Sequence, residues 1–160
     1  MKIRRATIYD LFEIGAMWED MEEEVYGVLL GELEKFLASL TIKLYRPDYF
    51  VLLAEDNEGR IAGFLLFHFE YLEYSNEQIA FGEHFFIKPD YRGSECMKEL
   101  LSEAYNICRK FDIKRIRLIS IPKLERFWTF HGYTNTRNIF ETQIFPDVQI
   151  FPEKEEKKDG

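Results

Sequence analysis

The chain has 160 residues, 46% of them apolar and 16% aromatic, enough to bury one core without disulfides. Its 29 acidic residues against 21 Lys and Arg give a formal charge of −8, which argues against a nucleic-acid surface. The same charge fits a cationic small substrate, or simple solubility. Cys96 and Cys108 form no CxxC or metal-type spacing, as suits a reducing compartment. The start, "MKIRRATIYD", lacks the apolar stretch of a secretory leader, and no run approaches the roughly 18 apolar residues of a bilayer span. A cytoplasmic protein without membrane contact is expected.

In chain order, "KIRRAT" reads as a short strand. Thr7 stands three residues before Asp10, the capping-box spacing that opens a helix. Leu11, Ile14, Trp18, Met21 and Val25 then form one apolar stripe. The acids Glu19, Asp20, Glu22 and Glu23 are expected on the opposite, solvated face. A second amphipathic segment carries Leu29, Leu33, Phe36, Leu37 and Leu40, and Pro47 ends the helical region. "YFVLLAE" (49–55) and "RIAGFLLFHFEYL" (60–72) flank the hairpin-type loop "DNEG".

After the polar break "EYSNEQ", a third strand of this meander runs through "IAFGEHFFI" (79–87). The segment "KPDYRGSECMKELL" follows, a tight loop opening into a helix from about Cys96 to Phe111. A strand, a loop and a helix N-terminus together offer backbone N–H groups to a phosphate. "KRIRLIS" (114–120) alternates as a strand, parallel to 79–87 because a helix crosses over between them. "LERFWTFHG" (124–132) is a short helix ended by Gly132, and "YTNTRNIFETQIF" closes with one bent or two short strands. The last eight residues carry seven charges and no apolar side chain, a solvated and disordered tail. One domain over 1–145 and a tail over 146–160 are expected.

This order, with "IRRATIYDLFEIGAMW", "LAEDNEGRIAGFLLF", "FFIKPDYRG" and "LERFWTFHGY" in sequence, resembles the GNAT N-acetyltransferase superfamily over roughly residues 1–145. The resemblance implies a mixed α/β (α+β) fold. Its central sheet is mostly antiparallel, its fourth and fifth strands splay apart, and helices cover both faces. It also implies transfer of an acetyl group from acetyl-CoA to a primary amine, small or peptide-borne, in a ternary complex; a homodimer is compatible with it. The pantetheine arm would pair with backbone groups of Phe85, Phe86 and Ile87, and an N–H of that strand would stabilise the oxyanion.

The pyrophosphate loop implied by the resemblance spans Arg92, Gly93, Ser94, Glu95, Cys96, Met97 and Lys98. The family pattern of Arg or Gln, two residues, Gly, one residue, then Gly or Ala is broken here. Glu95 and Met97 stand where small residues let the backbone approach the phosphates. Glu95 also opposes a phosphate unless its side chain turns to solvent. Arg92, Gly93, Ser94 and Lys98 retain a turn and two cations, so weakened cofactor binding is expected. A loop that merely joins strand to helix is the plainer reading.

For the proton chemistry, the resemblance points to a carboxylate on the fourth strand, and Glu83 is the candidate base. Apolar strand surroundings favour the protonated form of a carboxylate. The plainer reading makes Glu83 a half-exposed strand residue paired with a Lys or Arg. Period-two alternation puts Glu83, Phe85 and Ile87 on one face and His84 and Phe86 on the other, unless a bulge changes the phase. His84 is a second candidate base, though a lone strand His more often packs; His68 and His131 are read as isolated. The tyrosine that relatives use as general acid corresponds to Trp128, whose indole does not protonate a thiolate. The asparagine seven residues earlier is replaced by Ile121. A non-catalytic GNAT-fold module, binding CoA weakly or a protein partner, is the alternative.

Overall fold

The computed structural model describes residues 1–93, 95–119 and 124–134. The chain divides into two compact units, 1–121 and 122–160. Among the described residues, the first contains a five-stranded sheet in the order β1 (Lys2–Arg5), β2 (Tyr49–Glu55), β3 (Ile61–Tyr71), β4 (Gln78–Ile87) and β5 (Ile116–Leu118). The first four strands pair antiparallel, and β4 pairs parallel with β5, as the crossover requires.

Thr7 caps a 3-10 turn over Ile8–Asp10 rather than the helix itself. Its N–H donates to Asp10 Oδ2 at 2.7 Å, and Tyr9 N–H donates to Thr7 Oγ1 at 3.3 Å. Arg4 holds the same carboxylate through two hydrogen bonds of 2.7 and 2.8 Å. That guanidinium, with the Thr7 N–H, lowers the Asp10 carboxyl to about 2. The turn leads into α1 (Leu11–Tyr26), which ends at Gly27 in the left-handed conformation. Ile14, Met17 and Trp18 are buried, and Glu22 is buried with them. The expected solvated face fails at Glu22 because it continues the i+4 row of Ile14 and Trp18.

The second helix, α2 (Leu33–Leu44), packs on α1 through the stacked rings of Trp18 and Phe36, 4.5 Å apart. Leu29 lies before it and is exposed. Together α1 and α2 cover one face of the sheet, where Ile14, Met17 and Leu40 join Val51, Leu53, Phe64, Leu66 and Phe86 in one core cluster. On the opposite face lies α3 (Cys96–Lys110), burying Leu100, Leu101 and Ala104. Just past its end, the Phe111 ring meets Phe50 and Phe69 at 6.0 and 5.2 Å.

Within the second unit, α4 (Glu125–Phe130) is the described helix, followed by Gly132 at φ 84°. Within that unit the Trp128 ring lies 5.0 Å from Tyr133, and His131 lies 4.7 Å from Phe127. The strands expected over 133–145, the tail 146–160, Ser94 and Ile121 fall outside the described residues, apart from Tyr133 and Thr134. No helix among the described residues is long and apolar enough to cross a membrane.

Gly63 is where the sheet tolerates nothing larger. A Cβ there would stand 2.6 Å from the Phe86 carbonyl oxygen and 3.1 Å from Ile87 Cα, both backbone atoms of β4. Gly63→Ala is therefore expected to push β3 from β4 and cost about 1–3 kcal/mol. Urea denaturation of the two proteins measures it, and an unchanged midpoint would refute the close approach.

Candidate active site

The site begins with an irregularity in β4. Leu66 faces His84, but the next residue of β3, Phe67, faces Gly82, so Glu83 is the extra residue of a β-bulge. Among the described residues, β5 pairs with β4 from Ala80 to Gly82, and Ile119 N–H donates to the Gly82 carbonyl at 3.3 Å. Glu83 is the next residue of β4 after that paired stretch.

The bulge overturns the expected alternation. Glu83 does not share a face with Phe85 and Ile87; it joins His84 and Phe86 on the side covered by α2. Its carboxylate is ion-paired with Lys43 Nζ, from the last turn of α2. His68, expected to be isolated, brings Nδ1 to 2.9 Å from the other carboxylate oxygen, without the alignment of a hydrogen bond. Tyr49 stacks on His68 at 4.7 Å and lies 5.3 Å from the Lys43 ammonium. Burial, then the nearby Glu83 charge, raises the Tyr49 phenol above its ordinary value of 10 and keeps it protonated. Lys43, Tyr49 and His68 escaped sequence reasoning. They lie 40, 34 and 15 residues from Glu83, and only sheet register and helix docking join them.

His84 is half-buried against the Phe36 ring, 5.7 Å away edge to face. Burial lowers its imidazole from 6.5 to about 4; Glu83 works against the shift and Lys43 with it. At neutral pH it is uncharged and a feeble base, which counts against it as the second candidate base.

Beyond the bulge, peptide direction sorts the cofactor candidates. Lys88 N–H donates to the Ala62 carbonyl at 2.9 Å, so Lys88 and, two residues back, Phe86 turn their peptide groups toward β3. Phe85 and Ile87 turn theirs to the opposite edge, the side on which β5 pairs with Ala80 to Gly82. The Phe86 side chain is core, 6% exposed. On that outer edge Arg92 Nε reaches the Ile87 carbonyl at 3.0 Å.

The loop itself is well anchored. A 3-10 turn over Pro89–Tyr91 sends the Tyr91 hydroxyl to Asp56 Oδ2, 2.7 Å away, in the β2–β3 hairpin. That hydroxyl first, then Arg60, holds the Asp56 carboxyl well below the carboxylate range. Gly93 follows at φ 75°, a conformation that favours glycine. Arg92 does not lie open for phosphate: its guanidinium forks onto both Glu24 carboxylate oxygens at the end of α1. Lys88 reaches Glu13 on the same helix. Glu95 is exposed, without a capping bond, so its charge does turn to solvent; Cys96 is buried, Met97 half-buried and Lys98 exposed. Burial pushes the Cys96 thiol up to about 11, which makes it unreactive. Among the described residues no three His, Cys, Asp or Glu side chains are grouped to hold a metal.

The family model for the acetyltransferase (GNAT) family matches residues 12–133. The chain belongs to that family. Solved structures share the GNAT fold at low identity. A predicted acetyltransferase from Clostridium acetobutylicum, solved with acetyl-CoA, is 16% identical with a TM-score of 0.74, covering 89% of this chain and 95% of that one. Glucosamine-6-phosphate N-acetyltransferase from Arabidopsis thaliana is 19% identical with a TM-score of 0.69, covering 90% and 97%. A transcriptional regulator from Bacillus halodurans is 20% identical with a TM-score of 0.74, covering 89% and 99%. No curated protein matches the sequence. These likenesses establish the GNAT fold, and the mixed sheet with helices on both faces agrees with it.

His84 gives the GNAT domain a measurable pH dependence. Its folded value lies below 6.5, so between 6.5 and about 4 the unfolded chain binds more protons. The stability is complete above pH 6.5 and falls as pH drops toward 4, by up to about 3 kcal/mol. Asp10 acts only lower, between its ordinary 3.8 and about 2. Urea midpoints at pH 7, 5.5 and 4.5 should fall for the natural chain and flatten for His84→Gln; parallel curves would contradict the assignment.

Proposed function

We propose that the chain is an N-acetyltransferase, transferring the acetyl group of acetyl-CoA to a primary amine by direct attack in a ternary complex. The observation that carries this is Glu83: the bulge turns its carboxylate toward the end of α2, just past the stretch of β4 paired with β5, where it already holds an ammonium, that of Lys43. A carboxylate so placed can receive the proton an acceptor amine must lose.

The residues fit the cosubstrate at one end and resist it at the other. Peptide groups of Phe85 and Ile87 face the edge that a pantetheine arm would follow. Arg92, Gly93, Glu95, Cys96, Met97 and Lys98, with Ser94 between them, would surround the pyrophosphate. When bound, acetyl-CoA supplies an acyl thioester open to attack by an amine. The protein's own work is to orient that edge, to hold the proton at Glu83 Oε2, and to keep His84 neutral beside it. Trp128 donates a hydrogen bond but no proton, so a different group, or water, protonates the departing thiolate.

The rival reading, a GNAT-fold module without catalysis, draws on the same loop. Arg92 is engaged by Glu24 and by the Ile87 carbonyl. Both readings turn on whether phosphate can take Arg92 from Glu24.

Calorimetry with acetyl-CoA at low salt decides between them. Arg92→Ala should weaken binding about tenfold or more, the loss of charge-assisted hydrogen bonds to phosphate. Glu24→Gln should tighten it by roughly threefold to tenfold, since it removes the internal competitor for Arg92. No heat from either the natural chain or Glu24→Gln at millimolar acetyl-CoA would favour the module.

A further inference from the structure

We propose that Lys43 is a self-acetylation site, its own ε-amine serving as an acceptor for the acetyl group. This rests on the acetyltransferase reading above and extends it. Lys43 Nζ is ion-paired with Glu83 Oε2, the carboxylate assigned to the acceptor's proton. It is fixed there from several sides. The last turn of α2 carries it, the Tyr49 ring lies 5.3 Å from the ammonium, and His68 Nδ1 lies 2.9 Å from the other Glu83 oxygen. An amine held against the base has the proximity a bound acceptor would need to acquire.

The reaction balances without further reagents beyond acetyl-CoA. The Lys43 ammonium gives a proton to Glu83, and the neutral amine attacks the thioester carbonyl carbon. A C–N bond forms, the C–S bond breaks, and the sulfur leaves as the thiol with the second proton of the nitrogen. Glu83 releases its proton to solvent. The product is an uncharged amide at Lys43, and Glu83 loses its internal cation, which opens its carboxylate to an external ammonium.

Exposure separates this reaction from simple chemical acylation. The Lys43 side chain is 21% exposed, against 77% for Lys35 and 74% for Lys2. Uncatalysed acylation favours the open amines, whereas a site reaction selects the enclosed one. The full-length chain would be incubated with isotope-labelled acetyl-CoA and its peptides mapped by mass spectrometry. Calorimetric binding of acetyl-CoA to the same preparation would be measured in parallel.

Lys43 should gain label at least tenfold faster than Lys35 or Lys2, and excess desulfo-CoA should suppress labelling at Lys43 but not at the other two. Lys43→Arg, which keeps the charge facing Glu83, should bind acetyl-CoA as before and lose only that label. Measured binding with Lys43 labelled no faster than Lys35 would overturn the inference while leaving the acetyltransferase reading in place. Absence of binding would remove both. Faster labelling of Lys43 that desulfo-CoA leaves untouched would mark it as a chemical reaction and also overturn the proposal.

Discussion

Strand β4 has one residue more than its partner can match, and the site is built around that mismatch. Up to Gly82 the strand is held on both edges, by β3 and by β5. After Glu83 the pairing with β3 resumes in a shifted phase. A bulge leaves one residue outside the ladder and reorients its side chain. Here that residue is a glutamate, turned toward the end of α2, where Lys43 meets it. The same shift turns the peptide groups of Phe85 and Ile87 to the edge away from β3.

Close packing fixes the strand on its other side. Gly63 lets β3 approach the Phe86 carbonyl, and Phe86 is sealed into the cluster that α1 and α2 form over the sheet. Interiors at this density transmit displacement rather than absorb it. Residues 85–87 are thus presented by a rigid frame, and the loop after them is tied back to the hairpin by Tyr91 and Asp56. A site on rigid elements can use backbone groups for recognition, which makes the identity of the side chains there less critical.

Charge does a different task. The chain is acidic, yet several of its cations bridge distant elements: Arg4 to Asp10 and Glu55, Lys43 to Glu83, Lys88 to Glu13, Arg92 to Glu24. The exposed pair of Arg92 and Glu24 contributes little to stability. The Arg92 pair couples the end of α1 to the cofactor loop, so a phosphate arriving there competes with a carboxylate already in place. The low glycine content of that loop and this internal competition act in the same direction.

The sequence by itself determined the elements and their order, because periodicity, capping and turn residues act over a few positions. The stripe through Ile14 and Trp18, the helix opening at Cys96, the parallel fifth strand and the fold family were all legible there. Glu83 was legible as a carboxylate amid apolar strand residues, and so was the damaged loop pattern at Glu95 and Met97. Tertiary structure alone decided which way Glu83 points, since one extra residue in a ladder reverses every side chain beyond it. It alone brought Lys43, Tyr49 and His68 to Glu83 and set Arg92 on Glu24. Those contacts join residues far apart in the chain, and only the register of the sheet and the docking of α1 and α2 close the distance.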